Sequence, residues 1–238
     1  RLDEDGLRRL EALTGMCDRL AKQIDNLLAY YRAGRADGAQ GDVDLNDVLG
    51  DLDHVTVVHA DAMKLDWAEV LAHHRRWVLV ANLPYNVATP LVLDLLAGVP
   101  AIGRMLVMVQ KEAGERLAAA PGDDAYGIPS VKVAYRATAR LVGKVGPDVF
   151  VPRPRVDSAL VEIVRRDEPA TDADPERLMA LVDRAFNQRR KMLRRSLAGL
   201  VTPDQFEAAG VDPQARPEQL GVEDFGRLAD AVGRGAAP

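Results

Sequence analysis

A chain of 238 residues with 47% hydrophobic content is large enough for one large domain, or a medium domain with a smaller companion, around a substantial core. Its formal net charge of -5 excludes a generally basic nucleic-acid binder and leaves room only for a local basic patch. The single cysteine, Cys17, excludes an intramolecular disulfide and a multi-cysteine zinc site, and the four histidines show no ligand spacing around it, so no metal is expected.

In chain order, Leu7, Leu10, Leu13, Leu20, Ile24, Leu27 and Leu28 recur at three- and four-residue steps and predict a long amphipathic helix up to about Arg35. "GRADGAQGD" follows as a glycine-rich loop, and "VDLNDVLGDL" offers Asn46 or Asp44 as the cap of a short helix. From His54 the texture changes. "HVTVVHAD", "RRWVLVANLP", "GRMLVMVQ", "SVKVAYRATARLVGKV" and "DSALVEIVRR" read as strands, with "TPLVLDLLAG" as a helix between them. This alternation predicts an α/β fold with a largely parallel sheet, the later two runs alternating enough to be antiparallel. After the polar linker "DEPATDADPE" the chain is helical again. "RLMALVDRAFNQRRKMLRRSLAGL" is its main helix, and Gly199 or Gly210 a stop. No apolar run reaches membrane-spanning length and the first residues are charged, so a soluble, cytoplasmic chain is expected.

The most informative stretch is "VLVANLPYN", where a strand empties into Asn82-Leu83-Pro84-Tyr85. Ligands of open α/β sheets sit at the carboxyl ends of strands. Asn82 carries an amide that accepts and donates, Pro84 fixes the chain, and Tyr85 offers a π face. Such a set suits a flat base with an exocyclic amine, the amine donating to Asn82 and to a backbone carbonyl beside Pro84 while Tyr85 stacks, worth roughly 1–3 kcal/mol. Standing alone, the stretch reads equally well as a turn capped by a surface tyrosine. Two others accompany it. Asp61 in "VVHADAMKLD" is placed at the end of an earlier strand, able to accept from an adenine amine or a ribose hydroxyl, or simply to cap a helix. Phe150 in "VFVPRPRVDSALV" precedes Pro152 and Pro154, a stiff segment that presents a second ring.

"ANLPYNVATPLV", "VMVQKEAGERLAAAPGDDAYGIPSVKV", "VFVPRPRVDSALV" and "AFNQRRKMLRRSL" together resemble the small-subunit ribosomal RNA adenine N6-dimethyltransferases, the KsgA/RsmA family. The likeness runs from about His54 to Phe225. It implies a Rossmann-like methyltransferase sheet with a small C-terminal helical domain, and S-adenosylmethionine as the methyl donor for two adjacent adenines near the 3′ end of the small-subunit RNA. It further implies that Asn82, Leu83, Pro84 and Tyr85 hold the target base and that Phe150 stacks on it. Asp61, Ala62 and Asn82 would serve the cofactor. No general base is needed, because a hydrogen-bonded amine can attack the methyl sulfonium in line and lose its proton later. Arg189, Arg190, Lys191, Arg194 and Arg195 crowd one short stretch, where their repulsion is relieved best by phosphates.

The resemblance stops short at the N-terminal side. Upstream of His54 there is no strand entering a glycine-rich loop and no following strand that ends in an acid, so the first strands of the sheet are expected to be missing. Two lost charged contacts of roughly 1.5–3 kcal/mol each correspond to about 10²–10⁴ in cofactor affinity. "LTGMCDRLAKQIDNLLAYYRAGRADGAQGDVDLNDVLGDL" is similar instead to the dimerisation helix of a sensor histidine kinase and its link, without the phospho-accepting histidine motif. Three parts are therefore expected: residues 1–53, a kinase-like helix and linker; 54–168, an incomplete catalytic domain; and 169–238, a helical RNA-binding domain. Two other readings remain open, a non-catalytic ribosome-assembly module that binds RNA without cofactor, and a signalling fragment that self-associates through residues 1–35.

Overall fold

A computed structural model of the chain describes residues 55–150 and 153–235. The chain divides into two compact units, Arg1–His59 and Ala60–Pro238. The N-terminal helix, its linker and the missing glycine-rich segment expected from residues 1–53 lie outside the described residues, as does Pro152.

The second unit opens with α1 (Trp67–Val70), whose first amides are capped by the Asp66 carboxylate. It continues with β1 (Trp77–Asn82), α2 (Ala88–Gly98), β2 (Ile102–Gln110), α3 (Lys111–Ala118), α4 (Ile128–Arg136), β3 (Ala137–Val145) and β4 (Ser158–Arg165). The helices α5 (Pro175–Phe186), α6 (Leu193–Ser196), α7 (Pro203–Ala209) and α8 (Val222–Arg234) complete it. The strand order is β1-β2-β4-β3; β1 runs parallel to β2, and β4 is antiparallel to both neighbours. The sheet is thus mixed rather than largely parallel, while the antiparallel reading of the later two runs holds.

The expected strand over His54–Asp61 is not found. Residues 55–60 belong to no strand, and Val55, Val57 and Val58 are exposed. β-Branched residues make a strand only against a partner's ladder, and no described residue pairs with them.

Two apolar cores organise the unit. One packs Leu91, Val92, Leu95 and Leu96 of α2 against Met105, Val107 and Val109 of β2 and Val161 and Ile163 of β4. The other joins Leu178, Leu181 and Val182 of α5 to Leu193, Leu197, Phe206, Phe225 and Leu228. α4 belongs to both. Val131 and Tyr135, one helical turn apart, enter the second core, whereas Val133 and the adjoining Ala137 enter the first. This double burial explains why "SVKVAYR" looks like an alternating strand and yet is helical. Gly127 precedes Pro129 in its first turn, a start signal that the alternation obscured.

The single helix expected over residues 177–200 is also broken. After α5 the chain makes tight turns through Asn187–Lys191, and Met192 is extended before α6 resumes. The N–H groups of Leu193 and Arg194 donate to the Ala215 and Pro213 carbonyls at 2.8 and 2.9 Å instead of to a preceding turn. The break brings Leu193 and Leu197 into the core and spares the Arg-Arg-Lys run a continuous helical stack of like charge. Gly199 and Gly210 both adopt positive φ, 81° and 64°, and Gly210 ends α7 in the left-handed conformation.

β4 is tied at its far end by Arg165, whose guanidinium donates to the carbonyls of Leu95, Leu96, Val99 and Ile102 at 2.8–3.0 Å. Leu96 is a last-turn carbonyl of α2 without a following helical donor, while the Leu95 and Val99 carbonyls also accept from the Val99 and Ile102 N–H groups at 3.0 and 3.2 Å. On the other sheet face, buried Glu162 lies between Arg104 at 2.8 Å and Arg140 Nε at 2.6 Å, so its charge is doubly compensated.

Candidate functional site

The strand end is built by three constraints acting in succession. The Leu83 N–H donates to the Met108 carbonyl at 3.0 Å, carrying the parallel ladder one residue past β1, and the Leu83 side chain is buried in the sheet core. Strand alternation therefore turns Asn82 away from that core. The Pro84 carbonyl then accepts from Val87 at 3.1 Å and Ala88 at 3.0 Å, which starts α2 at once. With the Pro84 carbonyl engaged, the Leu83 carbonyl accepts no backbone bond among the described residues and is the one available to a ligand amine.

Asn82, Leu83, Pro84, Tyr85, Phe150 and Pro154 line one cavity of about 290 Å³. All five residues expected at the target base are thus brought together, although Asn82 and Phe150 are 68 residues apart in sequence. Phe150 arrives on a short helical turn over Pro147–Val149, braced across by Arg153 and Asp148 at 3.0 Å. The Tyr85 hydroxyl meets the Ser158 hydroxyl at 3.3 Å, at the start of β4. Sequence reasoning missed Ser158; a small polar residue opening an apolar strand two residues before "LVEIV" was its only signal. Residues that carry an amide, a carbonyl without a backbone donor and two aromatic rings line one recess, and such groups can hold a planar base by its edge and its faces.

Asp61 and Ala62 are not among the residues lining this cavity. Asp61 sits on an exposed turn rather than at a strand end, accepting from the Met63 N–H at 3.0 Å with the Lys64 ammonium at 3.8 Å. The Ala62 carbonyl accepts from the Trp67 indole at 3.0 Å. Among the basic residues, Arg189 is partly structural: it donates to the Asp124 carbonyl at 3.0 Å and lies 3.8 Å from the Glu218 carboxylate. Arg190, Lys191, Arg194 and Arg195 are exposed and form no ion pair with another described residue. Among the described residues no cluster of His, Cys, Asp or Glu is arranged to hold a metal, and no helix is long and apolar enough to cross a membrane.

A sheet flanked by helices, with a recess at the carboxyl end of β1, is a Rossmann-like arrangement of the kind found in methyltransferases. Solved structures agree: a dimethyladenosine transferase from Plasmodium falciparum aligns over 79% of this chain and 76% of its own, with TM-score 0.66 and 21% identity. The 23S rRNA methyltransferase ErmE aligns over the same shares with TM-score 0.59 and 22% identity. The family model for ribosomal RNA adenine dimethylase matches residues 44–233, and the chain belongs to that family. Ribosomal RNA small subunit methyltransferase A of Kineococcus radiotolerans is 53% identical over 178 residues, which are 73% of this chain and 58% of the relative. Its namesake in Streptomyces coelicolor is 48% identical over 184 residues, 75% of this chain and 63% of the relative. The chain thus spans about three fifths of the length of the curated relatives it matches.

The family uses S-adenosylmethionine as methyl donor. The described residues do not by themselves fit that group. The Asp61 carboxylate is 55% exposed and engaged with Lys64, the Ala62 carbonyl is taken by Trp67, and neither borders the recess that Asn82 lines.

Proposed function

We propose that this chain carries the target-adenine pocket and the RNA-docking helices of an enzyme that dimethylates, at N6, two adjacent adenines near the 3′ end of small-subunit ribosomal RNA. The convergence of Asn82, Leu83, Pro84, Tyr85 and Phe150 on one recess carries this reading. The Asn82 side-chain oxygen and the Leu83 carbonyl accept the two hydrogens of the adenine amine, which draws its lone-pair density onto the nitrogen and leaves it aimed at an electrophile. Tyr85 and Phe150 clasp the ring. Catalysis of this kind rests on orientation and charge placement. Arg190, Lys191, Arg194 and Arg195, with Arg189 as their tether, meet phosphates and set the register of the RNA. In this reading residues 54–168 form the catalytic part, 169–238 the RNA-binding part, and 1–53 a separate helix and linker, of which residues 1–35 let copies self-associate; the protein works in the cytoplasm on immature small subunits.

The test is transfer of labelled methyl groups from S-adenosylmethionine to unmethylated small subunits. Tyr85→Ala should lower transfer by at least tenfold, the equivalent of about 1.4 kcal/mol of lost stacking, while the melting temperature barely moves. Methylation unchanged by that substitution would remove the pocket assignment. The exposed turn at Asp61 supports a second reading, in which the chain docks on RNA without binding cofactor. Calorimetric titration with S-adenosylmethionine separates the two: micromolar binding sustains the enzyme, and RNA affinity without cofactor affinity sustains the docking module.

A further inference from the structure

Ser158 is 1% exposed, yet it is neither a strand filler nor a cap. It opens β4, a strand hydrogen-bonded on both sides, opposite Gln110 of β2 and Val145 of β3. A side chain held there has little freedom to move. Its hydroxyl reaches the Tyr85 hydroxyl at 3.3 Å, and Tyr85 itself is 41% exposed on the turn that follows β1. An exposed tyrosine ordinarily samples several rotamers, at an entropic cost to any ligand that needs one of them. The same strand start receives the loop that carries Phe150 and Pro154, and the Asp157 carbonyl just before it accepts from the Lys111 N–H at 2.9 Å.

We infer that Ser158 is a positioning residue for the base pocket: its hydroxyl holds the Tyr85 ring by the phenol end, so that the ring face stays turned into the cavity across from Phe150. The inference rests on the proposed reading of that cavity, and deepens it by naming what keeps one jaw of the pocket in place. The serine touches no substrate atom in this scheme. Its effect passes through the tyrosine.

The experiment compares wild type, Ser158→Ala, Tyr85→Phe and the double variant in the full chain. One readout is fluorescence anisotropy with an end-labelled single-stranded RNA containing two adjacent adenines, against the same RNA with purine at those two positions. The other is the ¹³Cζ resonance of labelled Tyr85. A positioning bond predicts that each single variant loses about threefold to tenfold of the adenine-over-purine preference, the span of one neutral hydrogen bond, and that the double variant loses no more than either. It also predicts that Ser158→Ala shifts the Tyr85 resonance. A merely structural serine would instead lower thermal stability in Ser158→Ala and leave Tyr85→Phe silent, and that outcome overturns the inference, as do losses that multiply in the double variant. If wild type shows no adenine preference, the reading of the cavity fails; the Tyr85 resonance then still decides whether Ser158 holds the ring.

Discussion

At the scale of single residues, local chemistry separates side chains that hold the fold from those that face a ligand. Tyr126 is of the first kind: fully buried, it donates to the Leu220 carbonyl at 2.9 Å, and burial, reinforced by Glu223 and Asp224, pushes its hydroxyl well above the ordinary tyrosine range. The folded state therefore keeps this proton more tightly than the unfolded chain does. Its contribution is complete below the ordinary value of about 10 and is lost as pH rises beyond it, because the unfolded chain ionises first. Tyr126→Phe should flatten the fall of stability above pH 10 while costing about 0.5–1.5 kcal/mol at neutral pH, measured by urea melts across the alkaline range. Tyr85 and Asn82 are of the second kind in the proposed reading, and their meeting in one recess was legible in the sequence because a strand that ends in an amide, a proline and an aromatic has an unusual set of groups at a place where ligands bind. Ser158 was not legible. Nothing in a one-dimensional pattern says that a hydroxyl 73 positions away will meet the tyrosine.

At the scale of elements, most strands and helices were readable wherever one periodicity served one core. β1, β2, β4 and α2 fall where their apolar patterns place them. α4 did not, because two cores draw on alternate positions of one helix and imitate a strand. The basic segment likewise has a helical composition, yet tertiary bonds to Pro213 and Ala215 break it. This turn matters for the charges. Replacing Lys191, Arg194 and Arg195 by alanine should weaken RNA binding at all sequences alike. It should also reduce the slope of log affinity against log salt by about 0.7 for each lost single-strand phosphate contact, read from titrations between low and high salt. Gly226 in α8 tests the packing of the helical part. A Cβ there would stand 2.8 Å from the Thr171 Cβ and closer still to its hydroxyl, so Gly226→Ala should destabilise by about 1–3 kcal/mol despite the better helix propensity of alanine, worth about 1 kcal/mol. A thermal melt lowered by roughly 2–4 °C per kcal/mol is the expected result.

At the scale of the molecule, the two cores are not separable. Val131 and Tyr135 anchor α4 in one and Val133 in the other, so loss of either core strips a face from the same helix. Heating should give coincident transitions by tryptophan fluorescence, which reports Trp67 and Trp77 beside the sheet, and by the near-ultraviolet signal of tyrosine, to which buried Tyr126 contributes from the helical part. Two resolved transitions would contradict the shared helix. The same architecture sets how the pocket can respond to a base. One strand, β4, grips the Asn82–Val99 segment at both ends: Ser158 holds Tyr85 at the near end, and Arg165 holds the closing carbonyls of α2 at the far end. A segment strung between two anchors on one rigid strand acts as an anvil. On the proposed reading of the pocket, Asn82 to Val87 should change little in amide exchange when RNA binds, while the amides of Val149 and Phe150 on the opposing side become protected.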